Sequence, residues 1–398
     1  MIPPLELEEA QARLLALASP LEIERMPARE ALGRYLAEPL LARRTQPPAD
    51  LSAMDGFAVR ANDIPGPWQI IGESSCGHPY EGAIPSGKAV RISTGALMPA
   101  GSDQVLLQED CQRDGDSLAL TGDPGPSRNV RAKGNDFTEG QSLLAASVRL
   151  GPAQIALTLT GGHRLIPVRR KVRLTVIDTG DELASNADAC GVHQIPASNG
   201  AMLAAMAAAL PTEVAHGAPV PDRLEALVTA LAGARGADLI VTSGGVSVGD
   251  HDLLQPALKA WGAEIDFWRV AIKPGKPLLV ARKGKTVVLG LPGNPVSSHV
   301  TAYLFMLPLI RALSGAAEPL PRSFETVLAK DLPAGGARRE FIRGCRDGGS
   351  VMPLFNQDSG ALATLAASNA LIERPAGAPA APAGSAVPVY LLENGGIA

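Results

Sequence analysis

The sequence is poor in aromatic residues and in cysteine. Aromatic side chains make up only 4% of the 398 residues, so the cores must be filled mainly by alanine, leucine and valine. Four widely separated cysteines form no paired motif, which argues against a zinc site or a redox pair and indicates a reducing compartment. They are Cys76, Cys111, Cys190 and Cys345.

The chain also lacks long hydrophobic runs and a strong excess of one charge. The longest apolar runs, residues 201–210 and 300–310, are shorter than the roughly 20 residues that a membrane-spanning helix needs. A net charge of −4 gives no general attraction to nucleic acid. The first residues are acidic, whereas a secretory signal begins with basic and then apolar residues. We therefore expect a soluble, cytoplasmic protein that binds neither nucleic acid nor membrane.

The first part of the chain is predicted to form two domains. Glycine (42 residues) and proline (34 residues) are scattered along the whole length, which is typical of many tight turns. Residues 45–139 consist of short apolar stretches cut by these residues, and this pattern predicts a small β domain. Residues 1–44 and 140–170 carry helical patterns, with a second helix expected around residues 28–36. Together they predict a discontinuous helical N-terminal domain.

The second half of the chain alternates between strand and helix patterns. Three short apolar strands, each followed by a loop and a helical stretch, predict a three-layer α/β domain with a mostly parallel sheet at residues 171–320. These strands lie near residues 172–177, 239–241 and 286–289. Residues 321–398 return to short β-like stretches and are predicted to form a C-terminal β-barrel domain. The predicted fold class is thus multi-domain, α/β plus β.

Three polar loops follow the predicted strands directly: DTGDEL (178–183), TSGGVSVGDHD (242–252) and LPGNPVS (291–297). In open α/β sheets, ligands bind beyond the carboxyl ends of the strands. Backbone N–H groups at Gly244, Gly245 and Gly249 can face one concavity, which suits a phosphate. Each loop alone also fits a plain tight connection, and no GxGxxG fingerprint or P-loop lysine is present.

Acidic side chains stand beside these loops at Asp178, Asp181, Glu182, Asp250 and Asp252. Carboxylates next to an anion site favour a bridging cation. Mg²⁺ is suitable because it accepts one or two carboxylates and keeps water and phosphate oxygens as its other ligands. The alternative is helix N-capping, which fits Asp250 and Asp252 ahead of a helix that begins near Leu253.

Basic residues cluster nearby in WRVAIKPGKP, where Arg269, Lys273 and Lys276 flank a Pro-Gly turn. Fixed cations of this kind suit phosphate or another oxyanion, and a solvated surface loop is the alternative. His251 lies between two aspartates, but the other histidines are isolated, which favours a structural or exposed role over metal binding.

Seven short motifs, in order and spread over almost the whole chain, together resemble the molybdopterin molybdenumtransferase family, known in bacteria as MoeA. Each motif alone is weak evidence, whereas the ordered set is highly specific. The motifs are SAMDGFAV (52–59), RISTGALMP (91–99), DTGDEL (178–183), TSGGVSVGDHD (242–252), AIKPGKP (271–277), LPGNPVSS (291–298) and NQDSGAL (356–362).

The resemblance implies an elongated homodimer of four-domain subunits and the last step of molybdenum cofactor biosynthesis. In that step adenylylated molybdopterin and molybdate give the molybdenum cofactor and AMP, with Mg²⁺ at the phosphoanhydride. The active site would be shared between the two subunits. Transient contacts with the adenylyltransferase of the preceding step and with molybdoenzyme chaperones would follow.

The resemblance also implies roles for individual residues. Catalytic roles would fall to Asp55, Thr94, Asp136, Glu182, Asp252 and Lys273, with Asp55 and Thr94 acting on the partner subunit's site. Glu182 and Asp252 are the expected Mg²⁺ ligands. Substrate binding would involve Asp222, Gly244, Gly245, Ser247, Gly249, Arg269, Lys276, Pro292, Gly293, Asn294, Pro295, Arg343 and Ser359.

Three other functions remain possible on the sequence. Molybdopterin adenylyltransferase, the preceding enzyme, resembles residues 171–320 here, but the two β domains argue against it. A scaffolding protein would have no use for the acidic and basic site residues. A generic nucleotide-binding module would leave the motifs of the β domains without an explanation.

Overall fold

The computed structural model describes residues 3–125, 128–246 and 253–392. Eight α-helices occur within these ranges, and a π-helical turn, Ala302–Met306, joins the sixth to the seventh. The helices are Leu7–Ala16, Pro152–Thr160, Asn199–Ala208, Leu224–Gly233, Leu254–Trp261, Pro295–Thr301, Leu307–Leu313 and Leu362–Ala366.

A six-stranded sheet forms the centre of the molecule. Its strands run, in spatial order, Thr212–His216, Val172–Asp178, Leu239–Ser243, Thr286–Leu291, Leu279–Lys283 and Glu264–Trp268. The first four strands are parallel to one another, and the last two pairings are antiparallel. The predicted α/β core is therefore confirmed, but its sheet is mixed. The reason is a hairpin closed by Gly284 and Lys285, with Gly284 at φ +59°.

Helices cover both faces of the central sheet. Alternate residues of its strands point to opposite sides, so Leu239 and Val241 belong to one apolar cluster and Ile240 to another. The helices Asn199–Ala208 and Leu307–Leu313 pack on the first side. The helices Leu224–Gly233 and Leu254–Trp261 pack on the second side.

One helical stretch of the described chain, Pro295–Leu313, is long and apolar enough by length and composition to cross a membrane. Its most apolar window is 89% buried within the protein. Tyr303, Phe305 and Leu309 all lie in the core cluster beneath the central sheet. This stretch is therefore accounted for as a core helix.

The first helix, Leu7–Ala16, packs on the central core instead of on residues 140–170. Its buried face joins the same apolar cluster as the central sheet. Gln11 Nε2 donates to the carbonyl oxygen of Leu304 (3.0 Å), and Arg13 forms an ion pair with Asp266 (2.8 Å). The N-terminal helix thus stabilises the central α/β region.

The prediction of a helix around residues 28–36 is wrong, because only a 3-10 turn, Ala28–Glu30, forms there. Gly33 takes φ +77°, which an α-helix does not allow. The flanking strand Ile23–Pro27 instead pairs with Leu165–Arg169, and Leu40–Leu41 pairs with Ser142–Leu144. The two separate segments therefore come together, but mainly through strand pairing.

Residues 51–131 contain a six-stranded sheet with its own small core of Phe57, Trp68, Leu106 and Leu118. A two-stranded ladder lies beside it, between Leu51–Ser52 and Val130–Arg131. The strands of the larger sheet, in spatial order, are Gln104–Leu107, Gly56–Val59, Lys88–Ile92, Trp68–Ser74, Ser117–Leu120 and Cys111–Asp114.

The C-terminal region is a closed five-stranded barrel, which confirms the prediction for this part of the chain. The barrel closes because the strand Arg339–Asp347 pairs with Ser350–Pro353 on one side and with Ala370–Arg374 on the other. The strands are Arg339–Asp347, Ser350–Pro353, Phe324–Leu328, Ala386–Leu391 and Ala370–Arg374. A short strand, Ile272–Lys273, adds to Arg339–Asp347 and links the barrel to the central region. The exact domain boundaries remain a prediction.

Candidate functional site

A cavity of about 830 Å³ lies at the carboxyl ends of the parallel strands. Residues directly after Val172–Asp178, Leu239–Ser243 and Thr286–Leu291 line it, and Gly360 and Leu362 of the barrel region close one side. All three loops singled out in the sequence therefore contribute to one hollow. This is the position at which open α/β sheets bind ligands.

The glycines of the second loop allow the loops to approach closely. Gly244 takes φ +102°, and a Cβ there would lie 2.6 Å from the carbonyl oxygen of Thr179. A Cβ on Gly293 would lie 3.6 Å from Gly244 Cα, so the second and third loops are in contact. Gly245 takes φ +66°. The backbone N–H of Gly244 donates to the carbonyl oxygen of Leu291 (3.0 Å), so this glycine holds the second and third loops together, and neither glycine places a side chain in the cavity.

Asn199, the first residue of the helix Asn199–Ala208, ties the loops together. Its Nδ2 donates to Ser243 Oγ (2.9 Å) and to the carbonyl oxygen of Gly293 (2.6 Å). One amide group thus joins a helix N-terminus to the second and third loops. No pattern in the sequence indicated this role for Asn199. Thr179 and Ser243 were also missed, although both are polar residues at strand ends.

Asp178 ends its strand under the floor of the cavity, and it is 1% exposed. Its Oδ2 accepts from the backbone N–H of Gly200 (3.1 Å) and lies 3.0 Å from His216 Nε2. Its Oδ1 has no hydrogen-bond partner among the described residues. The carboxylate therefore anchors the helix N-terminus and keeps one unsatisfied oxygen at the cavity floor.

Two further predicted carboxylates, Glu182 and Asp222, line the cavity. Asp222 Oδ1 accepts from Thr179 Oγ1 (3.0 Å), which fixes the aspartate beside the first loop. Across residues 3–125, 128–246 and 253–392, no three His, Cys, Asp or Glu side chains converge as a metal cage. The orphaned oxygen of Asp178 and the exposed carboxylate of Glu182 instead fit Mg²⁺, which needs only one or two protein carboxylates.

The predicted basic residues are not equally placed. Lys276 is exposed and precedes Pro277, which lines the cavity, whereas Lys273 Nζ lies 2.9 Å from Glu340 Oε1 at the junction with the barrel. Arg269 is only 7% exposed, and its guanidinium stacks on Trp268 at 4.0 Å. The structure thus does not bring Arg269 to the cavity surface, because the aromatic ring holds it in the core.

On the barrel side, Ser359 contacts the third loop. Asn294 Nδ2 donates to Ser359 Oγ (2.9 Å), and the backbone N–H of Val296 donates to the carbonyl oxygen of Ser359 (3.1 Å). Pro292, Gly293, Asn294 and Pro295 all line the cavity. Arg343 does not, because it is fully buried inside the barrel.

Asp55 and Thr94 are brought together but lie away from this cavity. The backbone N–H of Thr94 donates to Asp55 Oδ1 (2.7 Å), and both residues are exposed in loops that adjoin the small β sheet. Asp136 is exposed on the neighbouring loop. None of the three lines the cavity of its own chain. The predicted residues Ser247, Gly249, Asp250, His251 and Asp252 lie outside the described residues.

Comparison with known proteins accounts for nearly the whole chain. Family models match for the MoeA N-terminal region (domain I and II, residues 5–162), a probable molybdopterin binding domain (175–312) and the MoeA C-terminal region (domain IV, 325–392). A Haemophilus influenzae protein named molybdopterin molybdenumtransferase is 34% identical over 85% of this chain and 85% of its own. A Staphylococcus aureus (strain MRSA252) protein of the same name is 30% identical over 98% of this chain and 96% of its own.

Solved structures show the same architecture. The crystal structure of the molybdopterin biosynthesis MoeA protein from Pyrococcus horikoshii OT3 superposes with a TM-score of 0.84 at 27% identity, over 98% of this chain and 100% of that chain. The cavity, the closed barrel and the matched regions agree with the resemblance noted in the motifs. The chain belongs to the molybdopterin molybdenumtransferase family, a family of transferases in molybdenum cofactor biosynthesis.

Proposed function

We propose that this chain inserts molybdate into adenylylated molybdopterin and releases AMP, the last step of molybdenum cofactor biosynthesis. The observation that carries the proposal is the convergence of three polar loops on one cavity of about 830 Å³. The cavity combines loops rich in glycine and a helix N-terminus with carboxylates, and a phosphoanhydride with its cation requires both kinds of group.

Different groups of the protein would bind the phosphates, the molybdate and the Mg²⁺. The backbone of Gly245 and the side chain of Lys276, which is exposed next to the cavity residue Pro277, would bind phosphate oxygens, and Lys273 at the barrel junction would supply positive charge for molybdate, the oxyanion substrate. Glu182 and the unsatisfied oxygen of Asp178 would hold Mg²⁺, with Asp252 as the further ligand that the resemblance implies. When bound there, Mg²⁺ would neutralise the negative charge on the phosphoanhydride.

A site shared between two subunits explains the position of Asp55 and Thr94. Both are exposed, and the hydrogen bond between them holds the carboxylate in a defined orientation. Neither reaches the cavity of its own chain, so we propose that they complete the site of the partner in a homodimer. Asp136, on the loop that follows the same sheet, would act from the same side. A cytoplasmic location and transient contacts with the adenylyltransferase and with molybdoenzyme chaperones remain predictions.

The reaction is tested by incubating the purified protein with adenylylated molybdopterin, molybdate and Mg²⁺, and by measuring AMP with liquid chromatography. The proposal expects AMP release that depends on molybdate and stops when EDTA removes divalent cations. A parallel incubation with ATP and molybdopterin tests the adenylyltransferase alternative. Pyrophosphate release in that arm, without AMP release in the first, would assign the preceding step instead.

Subunit sharing is tested by mixing two inactive variants. Asp55→Ala and Glu182→Ala each remove a different part of the shared site. Exchange of subunits should restore about a quarter of the wild-type sites, because random pairing gives half heterodimers and each heterodimer has one intact site. Mass spectrometry verifies that subunits have exchanged. If they have exchanged and no activity recovers, each chain builds its site alone.

A further inference from the structure

Arg343 directs its side chain to a single loop of the barrel. It is 0% exposed, and its Nη2 donates to the carbonyl oxygens of Asn356 (2.9 Å) and Asp358 (3.0 Å). Its Nε and Nη1 have no partner among the described residues, and burial lowers the pKa of the guanidinium. A buried cation with two unsatisfied nitrogens costs folding free energy. Stability of the barrel therefore does not explain why an arginine stands there.

The backbone of Arg343 holds the same loop. Its N–H donates to Gln357 Oε1 (3.0 Å), and Gln357 Nε2 donates back to its carbonyl oxygen (3.0 Å). That carbonyl oxygen also accepts from the N–H of Leu354 (3.0 Å). Outside the strand ladder, the hydrogen bonds of Arg343 to the described residues all go to residues 354–358, which leaves this loop little conformational freedom.

The loop continues directly into the wall of the cavity. Ser359 receives the side-chain hydrogen bond of Asn294 (2.9 Å) and, at its carbonyl oxygen, the N–H of Val296 (3.1 Å). Gly360 and Leu362 line the cavity itself. Hydrogen bonds therefore run from the barrel core, through Ser359, to the third loop of the central sheet.

We propose that residues 354–360 form a preformed wall of the cavity, with Arg343 and Asn294 as positioning residues. Arg343 fixes the shape of the wall, and Asn294 fixes its distance from the third loop. Neither role requires contact between Arg343 and a ligand, which its complete burial excludes. The consequence for the reaction rests on the proposed function. Because displacement of a site wall by about 1 Å can slow a reaction roughly 100-fold, the two residues control turnover.

Hydrogen exchange of the unliganded protein tests the wall independently of any activity. Arg343→Met removes the buried cation and keeps an apolar side chain of similar length, so the barrel should still fold. Exchange of amides in residues 354–362 and of the Val296 amide should become at least about tenfold faster, since loss of the two hydrogen bonds from Arg343 Nη2 to the carbonyl oxygens of Asn356 and Asp358 lets the loop open more often. Arg346→Met is the matched control, because Arg346 lies on the same strand and stacks on Phe324 at 5.3 Å. Unchanged exchange in Arg343→Met, or equal acceleration in the control, would overturn the proposal.

A double-mutant cycle tests the link to catalysis. Asn294→Leu and Ser359→Ala each break the same hydrogen bond, so each should lower kcat about 10- to 100-fold with little change in KM, and the double variant should be no worse than the single ones. Asn294→Asp should recover most of kcat, because the Ser359 hydroxyl can donate to a carboxylate. Additive losses would mean that both side chains act on the ligand separately and would refute the positioning role. Absence of AMP release in the wild type would refute the proposed function, while the exchange experiment would still decide the wall.

Discussion

Replacing Gly244 by alanine is the sharpest perturbation of the cavity floor. The new Cβ would lie 2.6 Å from the carbonyl oxygen of Thr179 and 3.3 Å from its Cγ2. The first atom belongs to backbone that follows the strand Val172–Asp178, so the glycine loop must move outward. At φ +102° a residue with a side chain is also strained, at a cost of about 1–3 kcal/mol.

Strain and clash together should lower the free energy of unfolding by about 2–4 kcal/mol. For the α/β region of about 150 residues each kcal/mol lowers Tm by about 2–4 °C, so a decrease of roughly 4–16 °C in the transition of that region is expected in calorimetry. Outward movement of the donors should reduce kcat/KM for AMP release about 100-fold, as expected when reacting groups are displaced by about 1 Å.

Two other glycines serve as controls for the backbone strain. Gly262 takes φ +85° with no atom within 4 Å of a built Cβ, and it ends a helix away from the cavity. Gly262→Ala should cost about 1–2 kcal/mol from strain and leave kcat/KM unchanged. Gly245→Ala, with its nearest contacts at 3.5 and 3.6 Å, should fall between the two. A Gly244→Ala protein with wild-type Tm and activity would refute the reasoning.

Three further predictions concern charge and metal. Burial lowers the pKa of His299 to about 4, so between about pH 6.5 and 4 the folded protein binds fewer protons than the unfolded chain. About 3 kcal/mol of stability, fully present above about pH 6.5, should therefore be lost as the pH falls from about 6.5 to 4. His299→Leu should flatten this part of the pH dependence, measured by urea denaturation. Asp178→Asn weakens the anchor for Gly200 and His216 and should lower the free energy of unfolding by about 1–3 kcal/mol in the same assay. Glu182→Gln should weaken Mg²⁺ binding measured by calorimetry more than about tenfold, whereas Glu318→Gln, a surface control, should not change it.

The position of the cavity was predictable because it depends on local sequence. Polar residues that follow parallel strands meet at one sheet edge, whatever the details of the packing. The sequence alone therefore places Asp178, Gly244 and Pro292 at one site. The closed barrel and the α/β core followed from strand and helix periodicity in the same way.

Other features depended on contacts between distant residues. The apparent helix near residues 28–36 was overridden because Ile23–Pro27 pairs with a strand more than 130 residues later. The antiparallel part of the central sheet had a local signal in the sequence, because a two-residue turn at Gly284 and Lys285 favours a hairpin.

The arginines were misplaced for a related reason. Arg269 was predicted to bind the ligand because it lies in a basic cluster around a Pro-Gly turn, and Arg343 because the family resemblance implies it. Stacking on Trp268 and enclosure in the barrel take both out of solvent. The tie made by Asn199 was equally invisible, because it spans loops nearly 100 residues apart.

A crystal structure of the protein soaked with adenylylated molybdopterin tests the central claim most directly. We expect density for the phosphate groups in the cavity of about 830 Å³, beside Gly245 and between the first and third loops. Density for the ligand in the second cavity of about 440 Å³, beside Arg25, Arg43 and His163, with the first cavity unoccupied, would contradict it.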